Sequence, residues 1–253
     1  MPSIEALFLF IACVALASVI QNLTAFAFGL VLLGLVELMG IVPIADATNA
    51  SMVLALANSL AFFWGDRQPL PWKDVKHVLW ASVVGVAMGL GMQVWLSANA
   101  SQWLRLLLGL AVIFSAANLL LAHRVRTSPS PPASFALFGG LSGIFGGLFA
   151  TSGPPIVYHM LRQPFDPLHI RRCLMLVFVV NNASRLLMVA GTGKFSHQSL
   201  ILCCISVPVA FAVTRICSGY SVSRRRMIAI AGALLGATGL ALVVSATRVA
   251  FHP

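Results

Sequence analysis

The sequence predicts an all-α polytopic membrane protein, a transmembrane helical bundle of two inverted repeats. Each repeat is expected to hold a broken or re-entrant helix pair and three spanning helices. Three observations lead to this class. Of the 253 residues, 59% are hydrophobic and 9% are charged, and the mean hydropathy of +0.96 is far above that of a soluble domain. Polar breaks divide the chain into about ten apolar segments. The hydropathy pattern also matches itself after a displacement of about 124 residues.

The apolar segments follow one another with short polar breaks, and a helix needs roughly 20 apolar residues to cross a bilayer. The first segment carries Glu5 and has no basic region before it, so we expect a mature membrane segment and not a signal peptide. The first two segments are nearly continuous with each other, and so are the sixth and seventh, which predicts a helix pair at each place. The predicted segments cover residues 4–20, 24–41, 47–64, 78–96, 103–121, 135–149, 154–161, 173–190, 198–214 and 227–246.

The second half of the chain repeats the plan of the first. After the displacement, Asn58 falls on Asn182, and "ASVIQNLTAFAFGL" falls on "LSGIFGGLFATSGPP". Each half has an odd number of segments, so the halves should have opposite orientations, as in the inverted repeats of secondary transporters. A proline- and serine-rich stretch between them is typical of an exposed linker. We therefore expect one transmembrane domain, 1–253, with repeat one at 4–122, a linker at 123–134 and repeat two at 135–248.

The formal net charge of +10 is explained by this topology. Twelve of the sixteen lysine and arginine side chains fall on one side of the predicted membrane and three on the other. The positive-inside rule makes the first side cytoplasmic, which places both termini outside the cytoplasm. No basic stripe interleaved with aromatic residues is present, so the expected surroundings are a lipid bilayer and not a nucleic acid.

The stretch "GGLFATSGPPIVYHM", residues 146–160, predicts a helix break inside the membrane. Its arms, 135–149 and 154–161, would be about 22 Å and about 12 Å long, and neither comfortably spans a core of roughly 30 Å. We expect the pair to enter from the cytoplasmic side, break near the midplane at "ATSGPP" and return. Two prolines, Pro154 and Pro155, suit the first turn of the second arm, with Thr151 or Ser152 as its cap.

A helix that starts inside the membrane presents the positive end of its dipole and free N–H groups, which suits an anion. Because two prolines remove two of those donors, the hypothesis rests mainly on Thr151, Ser152 and Gly153 as substrate-binding residues. The matching stretch of the first half brings Asn22 and Thr24 to the same depth. The alternative is close helix packing, because glycines recur at four-residue spacing at positions 139, 143 and 147.

Two further polar positions in the eighth segment are candidates for the same site. Arg185 is expensive inside a membrane and is therefore a functional candidate, although it could instead reach the outer surface. Asn182, the counterpart of Asn58, could line a pathway or join helices.

The chain resembles the TauE/SafE sulfite exporter family of membrane permeases. The resemblance rests on the paired segments, on "GGLSGIFGGLFATSGPPIVYHML" opening the second half, and on "ASVIQNLTAFAFGLVLLGLVELMGI" opening the first, followed by a proline and "ATNAS". The glycine-rich turn of the family survives in the second half, while the first half has Asn22, Thr24 and Gly29 in its place. The resemblance implies transport of a small anion, typically sulfite or an organosulfonate, across a bacterial inner membrane.

The sequence thus predicts a permease for a small anion that works by alternating access between its halves. No motif of an enzyme, a metal site or a cofactor site is present, so we expect neither catalysis nor a cofactor. One alternative is a carrier of the drug/metabolite type, which also has five plus five helices but no midplane breaks. The other is a membrane assembly protein that transports nothing, in which the glycines serve packing alone.

The predicted topology can be tested by cysteine labelling in a background without native cysteines. A cysteine at position 252 (His252→Cys) should react with a membrane-impermeant maleimide in intact cells, whereas one at position 226 (Arg226→Cys) should react only after permeabilisation. Labelling of position 252 only after permeabilisation would contradict the orientation.

Overall fold

The computed structural model describes residues 4–24, 26–66, 68–99, 125–191 and 196–217, together with isolated residues between 113 and 240. Within these ranges all regular structure is helical. The eight described helices are α1 Ile4–Thr24, α2 Phe28–Met39, α3 Ile44–Gly65, α4 Trp72–Asn99, α5 Pro132–Phe149, α6 Gly153–Leu161, α7 Pro167–Ala190 and α8 His197–Cys217.

The helices agree with the predicted segments, and six of them are long and apolar enough to cross a membrane: α1, α3, α4, α5, α7 and α8. The all-α, multi-span class is therefore confirmed. The predicted segments 103–121 and 227–246 lie outside the described ranges, apart from isolated residues. One expectation is wrong: α5 begins at Pro132 and has 18 residues, about 27 Å of helix, so the first arm of this pair is long enough to count as a span. Only the second arms, α2 and α6, are short, with 12 and 9 residues.

The predicted break between α5 and α6 is confirmed. Helix α5 ends at Phe149, and Ala150 takes a left-handed conformation with φ of 54°, which is uncommon for a residue with a Cβ. Helix α6 then starts at Gly153, with two prolines in its first turn as predicted. Because each proline fixes φ and lacks an N–H, the chain restarts a helix here and cannot continue the old one.

The expected hydroxyl cap of α6 is not formed. Ser152 occupies the N-cap position, but its side chain makes no capping hydrogen bond. A capping side chain accepts from the second or third N–H of the helix. Those positions are Pro154 and Pro155, which have no N–H to give. The two prolines at the start of α6 therefore leave the hydroxyl of Ser152 without a capping hydrogen bond.

Helices α4 and α5 pack side by side in parallel with almost no space between their backbones. The contacts advance together along both chains: Gly139 meets Val78, and Gly143 meets Ser82. One turn further, Gly147 meets Val86, and a Cβ added at any of the three glycines would overlap a backbone carbonyl oxygen of α4. The packing interpretation of these glycines is thus confirmed, and small residues at a helix interface are what membrane helices use for close approach.

The helix contacts also correspond between the two halves. The displacement of 124 residues brings α1, α2, α3 and α4 onto α5, α6, α7 and α8. The α4–α5 contact then corresponds to the α1–α8 contact, and the α3–α8 contact corresponds to the α4–α7 contact. The pairs α1–α2 and α5–α6 correspond in the same way. Two halves related by an internal repeat would show this correspondence of helix contacts. It therefore supports the predicted repeat, which stays a prediction.

Polar loops gather at one end of the bundle. Arg172 at the start of α7 donates from Nη1 to Gln68 Oε1 (3.0 Å) and forms an ion pair with Asp66, so the loop after α3 is tied to α7. The linker is tied to the turn after α6, because Ser130 N donates to Gln163 Oε1 over 2.9 Å. The predicted cytoplasmic loops therefore share an end. At the start of α3, Asp46 instead contacts residues at the start of α8.

The α4–α5 contact gives a prediction about stability. Gly147→Ala places a Cβ against the backbone of α4 and should lower the midpoint of thermal unfolding in detergent and the folded yield, because overpacking costs about 1 to 3 kcal/mol. Gly140→Ala is the matched control, since a Cβ there would have only Ala81 O nearby, at 3.9 Å. Equal unfolding midpoints for the two variants would contradict the packing role.

Candidate functional site

The two helix breaks lie against each other. Gly29, at the start of α2, faces the other break, and a Cβ added there would lie 3.2 Å from Ala150 O. Gly153, at the start of α6, faces Phe26, whose ring would lie 2.9 Å from an added Cβ. After the displacement of 124 residues Gly29 falls on Gly153 and Phe26 falls on Ala150, so the two contacts are equivalent. The structure thus brings the two half-helix starts together.

The second break places three of the predicted site residues side by side. Thr151 and Ser152 are buried, at 8% and 7% exposed, and Gly153 is buried as well. The carbonyl of Ser152 accepts a hydrogen bond from Ser142 Oγ, which fastens the break to α5. The hydroxyl of Ser152 lies against Gly146. The break therefore offers a hydroxyl that caps no helix, close to the first arm of its own pair.

Arg185 lies beside this break and is almost completely buried, at 2% exposed. It donates from Nη1 to Gly146 O (2.7 Å) and from Nη2 to Gln93 Oε1 (2.9 Å), while its Nε has no partner. Within the described part of the chain no carboxylate pairs with it. The side chain of Arg185 is therefore enclosed by the bundle, and whether it serves a pathway or lies near the outer surface of the membrane stays a prediction.

The electrostatics of this region favour an anion. A buried guanidinium costs several kcal/mol unless a charge compensates it, and two neutral acceptors do not cancel its charge. Because Arg185 donates to Gly146 O and Ser152 Oγ lies against Gly146, the guanidinium and the hydroxyl approach the same turn of α5. A positive charge, a hydroxyl donor and a helix start are the groups with which proteins bind small oxyanions.

Asn22 is buried in a separate group of polar residues. Its Nδ2 donates to Thr214 Oγ1 (3.0 Å) and to the carbonyl of Ser18 (2.8 Å). Asn58 donates to Gln21 Oε1 over 2.8 Å and accepts from Thr214. We call these five residues, Ser18, Gln21, Asn22, Asn58 and Thr214, the Asn22 cluster. No hydrogen bond among the described residues joins this cluster to Arg185.

The remaining predicted residues are less informative. Asn182 is half-buried and donates from Nδ2 to the carbonyl of Phe178 in its own helix over 2.9 Å. Thr24 ends α1, and its side chain lies outside the described residues. The neighbouring Asn181 is 1% exposed, and neither polar atom of its amide has a partner. It precedes Arg185 by four residues and so lies on the same helix face, a spacing that could have drawn attention to it in the sequence.

Two contributors to this region have no sequence signal. Gln93 supplies the second acceptor of Arg185 from α4, and Ser142 fastens the break from α5. Both depend on which helices are neighbours, which no local pattern reveals. Within the described ranges no three histidine, cysteine, aspartate or glutamate side chains come together in a way that could hold a metal ion.

Comparison with known proteins gives two matches. The sequence profile of the family described as "Sulfite exporter TauE/SafE" matches residues 10–242. A protein of Cupriavidus necator named "Probable sulfite/organosulfonate exporter TauE" is 29% identical over 194 residues, which cover 77% of this chain and 76% of that protein. No solved structure matches the chain.

The hydroxyl of Ser152, which makes no capping hydrogen bond, gives a prediction about anion binding. Ser152→Ala should weaken the apparent affinity for a bound oxyanion roughly threefold to a hundredfold, because a hydrogen bond is worth about 0.5 to 1.5 kcal/mol, or about 3 with a charged partner. The measurement is binding of radiolabelled sulfite to the purified protein. Ser59→Ala is the control, since Ser59 Oγ donates to Ala55 O within its own helix. Unchanged affinity in Ser152→Ala for every anion that the parent binds would make this break a structural hinge only.

Proposed function

Because the chain belongs to the TauE/SafE sulfite exporter family, we propose that it moves a small sulfur oxyanion, sulfite or an organosulfonate, out of the cell across the bacterial inner membrane. The similarity to the Cupriavidus necator protein supports both the substrate class and the outward direction. The family is one of transporters, so a permease and not an enzyme is the starting point.

The observation that carries the substrate class is the uncompensated charge of Arg185. A guanidinium at this depth of burial needs a negative partner, and the described residues supply none. A transported oxyanion would supply it whenever the site is loaded. Sulfite and sulfonate groups present several oxygens around one sulfur, which matches the fixed fork of N–H donors of a guanidinium.

We propose that the anion is held between Arg185 and the second break. Thr151 and Ser152 would donate from their hydroxyls, and Gly153 would donate from its backbone N–H at the start of α6. Gly146 and Gln93 hold the guanidinium in place. The proposed pathway beyond this point includes three more residues: Asn22, Thr24 and Asn182.

Alternating access is proposed to arise from the two halves, residues 4–122 and 135–248, which form one transmembrane domain. The reciprocal contact of Gly29 with Ala150 and of Gly153 with Phe26 supports this, because each half-helix start rests on the break of the other half. A shift of one half against the other would change both contacts at once. In the proposed orientation both termini lie outside the cytoplasm.

The two alternatives differ from this proposal in testable ways. A drug/metabolite-type carrier has straight spans without midplane breaks, and the break between α5 and α6 argues against it. A membrane assembly protein would use the glycines of α5 for packing, as the structure shows, but would carry no solute. Transport by the purified protein separates the two.

The direct test is flux through proteoliposomes that contain only the purified protein. Liposomes are loaded with sulfite, a short organosulfonate, sulfate or chloride, and efflux is followed with and without a proton gradient. We expect efflux of sulfite or of the organosulfonate above that from protein-free liposomes. No flux of any of these anions, by protein that is folded in detergent, would contradict the proposal.

Substitution of Arg185 tests the role of its charge. Arg185→Lys keeps a positive charge but loses the fork of donors, so it should retain part of the flux. Arg185→Gln keeps polarity without charge. Its half-saturating sulfite concentration for flux should be at least tenfold higher than that of the lysine variant, since a charged hydrogen bond is worth about 1.5 to 3 kcal/mol. Both are compared at equal amounts of folded protein. Equal flux through the two variants would show that the charge of Arg185 does not contribute to transport.

A further inference from the structure

Two adjacent arginines at the start of α7, Arg171 and Arg172, differ in how fully their N–H donors and their charge are matched by partners. Arg172 has partners for all three of its nitrogen positions: Asp66 at Nε, Gln68 at Nη1 and the carbonyl of Pro69 at Nη2. One of these partners is a carboxylate, so its charge is compensated. Arg172 is therefore a structural residue that holds the loop after α3.

Arg171 has no such set of partners. Among the described residues its one hydrogen bond runs from Nη2 to Asn22 Oδ1, over 2.9 Å, and its guanidinium lies over the ring of Phe62 at 4.7 Å from the ring centre. Its Nε is buried without a partner, and within the described ranges no carboxylate pairs with the side chain. An arginine has five N–H donors, so most of its capacity is unused.

We propose that Arg171, together with the Asn22 cluster, forms a second binding station for the same oxyanion, at the end of the bundle that carries the loop after α3. This inference rests on the proposed function and adds a second site to it. Arg171 would supply charge and donors, while Asn22 and Thr214 border the site from α1 and α8. The ring of Phe62 would hold the guanidinium from its other face, as cation–π contacts do.

The relation between the two halves supports this station. Arg185 donates to the carbonyl of Gly146, near the end of the first arm of the second pair. After the displacement of 124 residues, Gly146 falls on Asn22, the residue to which Arg171 donates. Each break is thus approached by one uncompensated arginine at the equivalent position of its first arm. The two acceptors correspond in position, although one is the backbone carbonyl of Gly146 and the other is the side-chain oxygen of Asn22.

The positions of Arg171 and Arg185 are also compatible with two stations along one substrate pathway. Both lie on α7, 14 residues apart, which is close to four turns, so they share a face of the helix. They are separated by about 21 Å along the axis. Arg171 contacts the first arm of the first pair at Asn22, and Arg185 contacts the first arm of the second pair at Gly146, so the two stations would lie one beside each half.

The test measures affinity separately from each side of the membrane. Proteoliposomes are made with the parent, Arg171→Gln, Arg171→Lys and the control Arg172→Gln, and orientation is defined by labelling a Lys76→Cys variant. The half-saturating sulfite concentration is then determined for flux starting from the side of position 76 and from the opposite side. Flux is expressed per folded protein, so a loss of yield in Arg172→Gln does not affect the comparison.

We expect Arg171→Gln to raise the half-saturating concentration on the side of position 76 about tenfold or more, with less than a twofold change on the opposite side. Arg171→Lys should lie between Arg171→Gln and the parent, and Arg172→Gln should match the parent on both sides. If the parent carries sulfite and Arg185→Gln impairs it, but Arg171→Gln matches the parent from both sides, the second station is overturned and the proposed function stands. If the parent carries no anion, both are overturned.

Discussion

The bilayer core offers no water to satisfy a backbone N–H or carbonyl, and this constraint governs the whole structure. A helix may break inside a membrane only where protein shields the break. In the structure the two breaks cover each other, because Gly29 rests on Ala150 and Gly153 rests on Phe26, and this is the shielding that breaks at the predicted depth would need. At both contacts an added Cβ would press on the opposite break, at 3.2 Å from Ala150 O and at 2.9 Å from the ring of Phe26, so a larger residue would make a neighbour shift. The close α4–α5 contact serves the same end, because it holds the first arm of the second pair firmly against a long neighbour.

Charge compensation divides three arginines of α7, the buried Arg172 and Arg185 and the half-buried Arg171, into two kinds. The chain has six acidic residues for sixteen basic ones, so few carboxylates are available for pairing. Arg172 takes Asp66, and that pair ties a loop to a helix. Arg171 and Arg185 take amide and carbonyl oxygens, which orient a guanidinium without neutralising it. The pattern separates Arg172, which holds a loop to a helix, from two arginines whose charge no carboxylate among the described residues neutralises.

Much of the architecture could be predicted from the sequence because its signals are local. The run "ATSGPP" predicted the break to within a residue, since two prolines and a glycine leave few helical options. The sequence predicted the length of α5 less well, because the helix begins at Pro132, inside the predicted linker. The expected cap of α6 does not form, because the positions that would donate to the Ser152 hydroxyl are prolines, which have no N–H. The choice between Asn181 and Asn182 depends on the rotation of α7, which one residue changes by about 100°. The acceptor role of Gln93 depends on a tertiary neighbour, so no pattern in the chain could reveal it.

The location of both uncompensated arginines on one continuous helix has an electrical consequence. The positive charges on α7 belong to the protein and return to their starting positions in each cycle, so if the proposed anion is carried alone, the net charge that crosses the membrane is that of the anion. Each elementary charge gains about 2.3 kcal/mol per 100 mV of membrane potential. A negative interior would therefore drive a monoanion outward without a coupling ion, and a dianion about twice as strongly. Export would then draw on the resting voltage of the cell.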